Sequence, residues 1–433
     1  MNEPIITAEA PKRAFLISIR DEKLSAPESD SLIREFTGLT DTLGLAIVSL
    51  ETVHVREKNP RYGMGTGKAE ELAQKAASFE ADCIVFDRDL SPSRQQNWEE
   101  LSLIPVIDRQ ELIIQIFAGR ARTREAELQV SLAELKYALP RLQHKYVDLS
   151  RQRGGQYGTR GSGETRLETD RRRVELRIHQ LEGELEDVRR GRQVQRRQRE
   201  RRGVPVCALV GYTNAGKSSI LNALTGAAVL AEDKLFATLD STSRRLKLPL
   251  GTQVLLVDTV GFIRNLPHNL VDAFRSTLEE VTSADLLLNV LDSSDPDVSV
   301  HYETTLSVIR DLGAENIPLL KVFSKIDKLD GASLDVLLKT FPGSVPVSVA
   351  ENVSGFPRGL TELCERIEQA VSGGNLHFRF PLDRTDLAAM VHRSGPVISE
   401  KYGEKYIEME ALVDERTAGR LREYQYSKGT AEK

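Results

Sequence analysis

The sequence predicts a multidomain α/β protein in which a mostly parallel sheet, covered by helices on both faces, is joined to three smaller parts. Short apolar runs alternate with helical patterns before residue 120 and again from residue 203 onward, as they do in βαβ units. Between these regions leucines recur at spacings of four and three residues, which is typical of a helical hairpin. A chain of 433 residues is too long for one core, and about two to four domains are expected.

The predicted boundaries follow these changes of pattern. We expect an N-terminal α/β domain, an antiparallel helical hairpin with a glycine- and arginine-rich tip, a domain built on the main sheet, and a small C-terminal α+β domain. Their ranges are 1–120, 121–202 with the tip at 150–166, 203–372, and 375–433. In the first domain the patterns predict strands at 14–19, 45–50, 83–86 and 104–107, and helices at 68–77 and 92–101.

Two heptad seams predict that the hairpin is an antiparallel coiled coil. The seam residues are Leu128, Leu132, Leu135, Leu139 and Leu142 in one helix, and Leu167, Val174, Ile178, Leu181, Leu185 and Val188 in the other. The tip between them contains Gly154, Gly155, Arg160, Gly161 and Gly163. Arginines neutralise phosphates and glycines allow close backbone approach, so contact with RNA is one interpretation. A disordered linker is the other, and the composition leaves both open.

The most specific motif is a phosphate-binding loop that follows an apolar strand and opens a helix. It fits G-x-x-x-x-G-K-[ST] and consists of Gly211, Tyr212, Thr213, Asn214, Ala215, Gly216, Lys217 and Ser218. Backbone N–H groups of such a loop point at phosphate oxygens, and the helix N-terminus adds positive potential there. We predict that Lys217 contacts the outer phosphates and that the Ser218 hydroxyl is a ligand of Mg²⁺. The alternative is a turn that binds nothing, which the flanking strand and helix disfavour.

Two further segments are predicted to complete the phosphate site. A buried strand is followed by Asp258, Thr259, Val260 and Gly261. The aspartate can hold Mg²⁺ through water, and the glycine N–H can contact a γ-phosphate. The stretch before that strand contains Phe236, Ala237, Thr238, Leu239 and Asp240. We choose Thr238 over Thr242 as the second hydroxyl ligand of the metal, so the predicted catalytic residues are Lys217, Thr238 and Gly261.

A later strand end predicts specificity for guanine, and hence GTP as substrate and GDP as product. There Ser324, Lys325, Ile326 and Asp327 match the Asn-Lys-x-Asp motif, with serine in place of asparagine. The Asp327 carboxylate can accept two hydrogen bonds from the guanine edge that adenine does not offer. The stretch Ser348, Val349 and Ala350 stands where a backbone contact to the guanine oxygen is usual, with the usual Ser-Ala pair interrupted.

Two positions bear on the rate of hydrolysis. Signalling GTPases often carry a water-orienting glutamine where this chain has Phe262, so slow intrinsic hydrolysis is predicted. Asn214 has two interpretations, a K⁺ ligand beside the phosphates and a residue that only pins the loop, and both remain open. In the N-terminal domain, the glycine-rich turn at 63–68 is likewise either an anion site or a plain loop before a helix.

Composition and charge exclude several classes of protein. A hydrophobic content of 40%, a charged content of 28% and a net charge of −5 are ordinary for a soluble globular protein. No apolar run approaches the roughly 20 residues that a membrane span requires. Cys83, Cys207 and Cys364 lack metal or disulfide spacing. We expect a cytoplasmic monomer without a membrane span, with peripheral membrane association left open.

Over nearly its whole length the chain resembles HflX-type ribosome-associated GTPases. The segments that carry the resemblance include Gly65-Thr66-Gly67-Lys68, Ile107-Asp108-Arg109, Leu139-Pro140-Arg141-Leu142, Gly161-Ser162-Gly163-Glu164-Thr165-Arg166 and Asp258-Thr259-Val260-Gly261-Phe262. The resemblance implies a P-loop GTPase domain beside the three other parts, and binding to the large ribosomal subunit and to whole ribosomes through ribosomal RNA. It also implies that the protein splits or rescues stalled or hibernating ribosomes under stress. The alternatives are a ribosome assembly or RNA-remodelling GTPase, and a nucleotide-sensing ribosome-binding scaffold with weak turnover.

Overall fold

The computed structural model describes residues 12–21, 25–55, 59–152, 162–201, 204–227, 234–264, 275–353, 356–371, 375–413 and 415–426. The chain divides into two compact units. The first contains residues 1–192, 234–239 and 266–275, and the second contains 193–233, 240–265 and 276–433. The predicted mixed α/β fold is confirmed, but the short segment 234–239 belongs to the first unit, although its neighbours in sequence belong to the second.

The first unit is built on a four-stranded parallel sheet. Its strands are β1 Arg13–Asp21, β2 Ala46–Val55, β3 Cys83–Phe86 and β4 Val106–Ile107, in the order β2-β1-β3-β4. Its helices are α1 Ala26–Thr42, α2 Thr66–Ser78, α3 Pro92–Ser102 and α4 Arg109–Arg120. The buried core of this domain includes Phe15, Ile84, Phe86 and Trp98. The strands and two of the helices lie where the sequence predicts them, whereas α1 and α4 were not predicted.

Two long helices form the predicted hairpin, α5 Arg124–Gln152 and α6 Ser162–Arg201. Leu128 and Leu132 pack against Ile178, Leu181 and Leu185 in one buried cluster, so the heptad seams do face each other. The helices extend into both ends of the predicted loop at 150–166, and Gly163 is helical. Residues 153–161, with Gly154, Gly155, Arg160 and Gly161, lie outside the described residues.

The first helix of the hairpin is tied to the α/β domain by Arg141, which lies between the seam residues Leu139 and Leu142. Its guanidinium donates to Asp108 at 2.9 Å, to the Gln95 side chain at 2.7 Å and to the Leu90 carbonyl at 3.1 Å. It also lies 3.4 Å from the centroid of the Tyr137 ring. Because Asp108 is fully buried, this charge pair is strongly shielded from solvent. These contacts fix the tip-side half of α5 against the domain.

The second unit contains a six-stranded sheet in the order β10-β9-β8-β5-β7-β6. The strands are β5 Val206–Gly211, β6 Thr242–Lys247, β7 Gln253–Asp258, β8 Leu286–Asp292, β9 Leu319–Ser324 and β10 Val345–Pro346. The pairings are parallel except that β6 runs antiparallel to β7. The helices are α7 Lys217–Thr225, Arg275–Thr282, Val298–Asp311, Gly331–Thr340 and Leu360–Val371. Strand β6 was not predicted. Its first residue is Thr242, which was not chosen as a metal ligand.

The C-terminal part of the second unit has its own buried core. After a two-stranded ribbon, β11 Asn352–Val353 and β12 Phe356–Pro357, strands β13 Asn375–Pro381, β14 Val397–Tyr402 and β15 Tyr406–Leu412 form an antiparallel sheet in the order β13-β15-β14. The helix Thr385–Ser394 covers one face, where Phe378, Val391 and Ile407 are buried together. None of the helices that the structure describes combines the length and apolar character that a bilayer span requires.

Candidate nucleotide site

The phosphate-binding loop joins β5 to α7 at the carboxyl edge of the parallel sheet. Gly211 has φ of +139°, and a Cβ there would lie 2.3 Å from the Val290 carbonyl oxygen on the next strand. Gly216 has φ of +91° immediately before the first residue of α7. Glycine is required at these positions by close backbone approach and by left-handed geometry. The loop therefore presents its N–H groups at a helix N-terminus, as anion binding requires.

Lys217 is buried in this loop, with 6% of its surface exposed. Its Nζ donates to the carbonyl oxygens of Gly211 at 3.2 Å and Tyr212 at 2.8 Å. Burial lowers the pKa of Lys217 to about 8, and the negative charge of Asp258 opposes that change. An ammonium held in this way lacks a full counter-charge, so an anionic phosphate placed beside it is strongly favoured.

Two oxygen ligands of the kind that Mg²⁺ prefers meet beside the loop. Ser218 Oγ donates to Asp258 Oδ2 at 2.5 Å, and Asp258 is fully buried at the end of β7. The next residue, Thr259, donates through its hydroxyl to the Leu209 carbonyl at 2.6 Å and so fixes the start of the segment. A hydroxyl and a carboxylate suit a hard cation. The structure thus brings together Ser218 and Asp258, which are far apart in the sequence.

The segment after Asp258 lies directly on the phosphate-binding loop. The Thr213 N–H donates to the Phe262 carbonyl at 2.9 Å, and the Phe262 N–H donates to the Gly211 carbonyl at 3.0 Å. A Cβ on Gly261 would lie 2.7 Å from Thr213 Cα and 3.0 Å from Lys217 Nζ. Val260 and Phe262 are buried. Gly261 is consequently packed against the very lysine that is predicted to contact phosphate.

The residues predicted to recognise guanine lie at or after the ends of the neighbouring strands β9 and β10. Ser324 Oγ is buried and donates to the Ala215 carbonyl at 2.6 Å, so this shorter side chain still links the base motif to the phosphate-binding loop. Ser348 Oγ donates to Asp327 Oδ1 at 2.6 Å and orients that carboxylate. Of the other residues in these two motifs, Ile326 is buried, Val349 is half-buried and Ala350 is exposed. The interrupted Ser-Val-Ala stretch therefore keeps its serine next to the aspartate.

Lys325 is held by a partner that sequence reasoning did not assign. Its Nζ lies 2.7 Å from Asp292 Oδ2 and donates to the Asn214 carbonyl at 2.9 Å. Burial acts to raise the pKa of Asp292, but the Lys325 ammonium and the Ser294 groups outweigh it and hold the pKa below its ordinary value. The sequence did carry a signal for Asp292, because it ends β8 at the same edge as the other site residues.

The segment predicted to supply the second metal ligand packs in the first unit. Phe236 is 1% exposed, has φ of +55°, and places its ring 4.7 Å from the Phe117 ring centroid at an interplanar angle of 77°. Leu239 is also buried, while Ala237, Thr238 and Asp240 are half-buried. The Phe236 side chain is therefore buried against Phe117. Only the backbone of Phe236 could contact the nucleotide. The metal role of Thr238 stays a prediction.

Comparison with known proteins identifies the family. Three family models match successive parts of the chain, described as GTP-binding GTPase N-terminal over residues 30–118, GTP-binding GTPase Middle Region over 120–199, and 50S ribosome-binding GTPase over 206–325. The GTPase HflX of Akkermansia muciniphila is 44% identical over 417 residues, which cover 94% of this chain and 95% of that protein. The chain belongs to the HflX family of GTPases.

A second relative agrees with this assignment. GTPase HflX of Escherichia coli is 42% identical over 342 residues, covering 78% of this chain and 80% of that protein. A solved GTP-binding protein from Sulfolobus solfataricus in complex with GDP is 24% identical, covers 83% of this chain and 99% of that chain, and aligns with a TM-score of 0.44. Membership confirms the predicted resemblance: the protein is a ribosome-associated GTPase that binds and hydrolyses GTP.

Proposed function

We propose that this protein acts as a monomer in the cytoplasm, binds the large ribosomal subunit and whole ribosomes, and uses GTP to split or rescue stalled or hibernating ribosomes. The observation that carries the proposal is the fastened hairpin. A leucine seam stiffens it, and Arg141 ties its first helix to buried Asp108. This 29-residue helix is about 44 Å long at about 1.5 Å per residue, and the 11 residues after Arg141 extend about 17 Å beyond that anchor. Such a stalk can carry its tip into an RNA-lined interface.

The tip supplies the chemistry that ribosomal RNA would recognise. Arg160 and the neighbouring Arg153 can neutralise phosphates, and Gly154, Gly155 and Gly161 leave room for close backbone contact. Each phosphate contact releases counterions, so ribosome binding should weaken as salt concentration rises. The GTPase domain would then time the engagement and release of the tip.

A tip replacement tests this division of labour. Replacing residues 154–163 with a neutral linker should leave GDP and GTP binding intact. Whole ribosomes should then persist in sedimentation profiles, and ribosomes should stimulate hydrolysis less. The matched control neutralises two exposed arginines of the same stalk, Arg173→Gln and Arg190→Gln. A tip variant that splits ribosomes at the wild-type rate would contradict the proposal.

Two further measurements separate the alternatives. If the protein serves ribosome assembly, its loss should accumulate precursor subunits while whole ribosomes remain resistant to splitting. If it is a nucleotide-sensing scaffold, purified ribosomes should bind it without increasing the GTP hydrolysis rate.

Mg²⁺ fits the residues beside the phosphate-binding loop. Ser218 and Thr238 would be its protein ligands, with Asp258 next to Ser218. When bound, Mg²⁺ neutralises phosphate charge, and the chain itself positions the phosphates through Lys217 and the loop N–H groups. Removing Mg²⁺ with a chelator should weaken GTP binding in the wild type, and Ser218→Ala should make binding insensitive to the chelator.

K⁺ is the proposed second cation, with Asn214 as its ligand. Asn214 has φ of +60°, which asparagine tolerates, and Lys325 holds its carbonyl. A cation near the phosphates would supply positive charge where Phe262 supplies none. Ribosome-stimulated hydrolysis should be faster in K⁺ than in Na⁺, and Asn214→Ala should remove the difference. Equal wild-type rates in the two salts would rule the ion out.

A further inference from the structure

We propose that Tyr212 is a positioning residue that latches residues 261–264, here called the switch segment, onto the phosphate-binding loop and thereby favours GDP over GTP. The inference rests on GTP binding, which family membership establishes, and not on ribosome splitting. The sequence predicts Tyr212 as a nucleotide-binding residue of the loop and assigns no separate role to its side chain.

Three of the hydrogen bonds made by the described residues hold the switch segment on the loop. Two are between backbone groups, from Thr213 N–H to the Phe262 carbonyl at 2.9 Å and from Phe262 N–H to the Gly211 carbonyl at 3.0 Å. The third uses a side chain, because the Arg264 N–H donates to the Tyr212 hydroxyl at 3.0 Å. The Tyr212 hydroxyl therefore holds the far end of the segment.

Tyr212 can perform this task because its ring is rigidly held. The ring stacks on His301 of the helix Val298–Asp311, with centroids 3.7 Å apart and planes 12° from parallel. Tyr212 and His301 are both buried. A stacked and buried ring has little rotational freedom, so its hydroxyl stays at the point where Arg264 N–H arrives.

The latched segment lies against the lysine that would contact a third phosphate. Lys217 of such a loop reaches the outer phosphates, and Gly261 is placed to contact the γ-phosphate. Yet a methyl group on Gly261 would already lie 2.7 Å from Thr213 Cα and 3.0 Å from Lys217 Nζ. In this proposal, a phosphoryl group that binds between Lys217 and Gly261 pushes the switch segment away from the loop. GDP has no third phosphate and makes no such demand.

The Tyr212 hydrogen bond consequently affects GTP and GDP binding differently. A ligand shifts an equilibrium only by its difference in affinity for the two arrangements. GTP must break the hydrogen bond at Tyr212, whereas GDP binds with the bond in place. Removing the hydroxyl should therefore increase the affinity for GTP and leave the affinity for GDP nearly unchanged.

The test is Tyr212→Phe in the full-length protein, which removes the hydroxyl and keeps the stacked ring. Dissociation constants are measured for fluorescent GDP and for a fluorescent non-hydrolysable GTP analogue. A neutral hydrogen bond predicts that the GTP analogue binds about three- to tenfold more tightly, with GDP changing less than about twofold. Tyr302→Phe is the matched control, because Tyr302 is on the same helix as His301 and packs against Phe341. It should change neither constant.

A second measurement uses the wild-type protein and does not depend on any variant. Hydrogen–deuterium exchange at the N–H groups of Phe262 and Arg264 should be faster with the GTP analogue than with GDP. Equal protection in the two complexes would overturn the proposal. So would a Tyr212→Phe variant whose GDP and GTP affinities are unchanged or change together, because Tyr212 would then only support the fold of the loop.

Discussion

Raising the pH from 7 to 9 should weaken GDP and GTP binding about tenfold, because Lys217 loses its proton within that interval. The pKa of this lysine is lowered by burial from 10.5 to about 8. With that value about nine-tenths of the free protein carries the ammonium at pH 7 and about one-tenth at pH 9. Only the charged form pairs with phosphate, so the apparent dissociation constant should rise as the protonated fraction falls.

The same lowered pKa has a consequence for folding. Below pH 8 both the folded and the unfolded chain carry the proton, and the folded state bears the full penalty of burying the charge. Between pH 8 and 10.5 the unfolded chain binds more protons, so this residue makes stability rise with pH. The penalty corresponds to about 3 kcal/mol, since each pKa unit is worth about 1.4 kcal/mol. Lys217→Met should therefore stabilise the nucleotide-free protein by up to that amount while abolishing nucleotide binding.

The assay is a fluorescence titration with GDP at pH 7, 8 and 9, paired with urea unfolding of Lys217→Met at pH 7. Lys217→Arg is the control, because a guanidinium keeps its charge across this range and its profile should be flat. The reasoning would be refuted by a wild-type dissociation constant that is the same at pH 7 and 9. It would also fail if Lys217→Arg showed an equal loss, since the titrating group would then lie elsewhere.

Three further predictions concern other parts of the site. Ser324→Ala should weaken GDP binding about five- to tenfold in the same titration, because the buried hydroxyl bond to the phosphate-binding loop is lost; an unchanged affinity would mean that the base motif is held by other contacts. Asp327→Asn should shift binding from guanine toward xanthine nucleotides, and competition with GDP and XDP measures the ratio; retained preference for GDP would move base recognition to another residue. Phe236→Ala should destabilise the protein to urea by about 3 to 5 kcal/mol through loss of the Phe117 contact, and a loss below about 1 kcal/mol would show that the contact contributes little.

Several elements escaped sequence reasoning for identifiable physical reasons. Strand β6 exposes Arg244 and Arg245 at the edge of its sheet, so it lacks the apolar run by which a strand is recognised. Helix α1 did carry a local signal, a capping box in which Ser25 and Glu28 bond reciprocally, and that signal could have located its start. The predicted strand at 83–86 matched its observed bounds, because four consecutive buried residues leave little ambiguity.

By itself the sequence determined the features whose physics is local. The phosphate-binding loop, the guanine motif and the leucine seams are contiguous or periodic, so spacing along the chain specifies their chemistry. Only the tertiary structure decided that Ser348 orients Asp327, that Asp292 pairs with Lys325, and that the Tyr212 hydroxyl meets Arg264. Each of these contacts joins residues from different loops or strands, and their meeting depends on sheet order and packing, which no local pattern encodes.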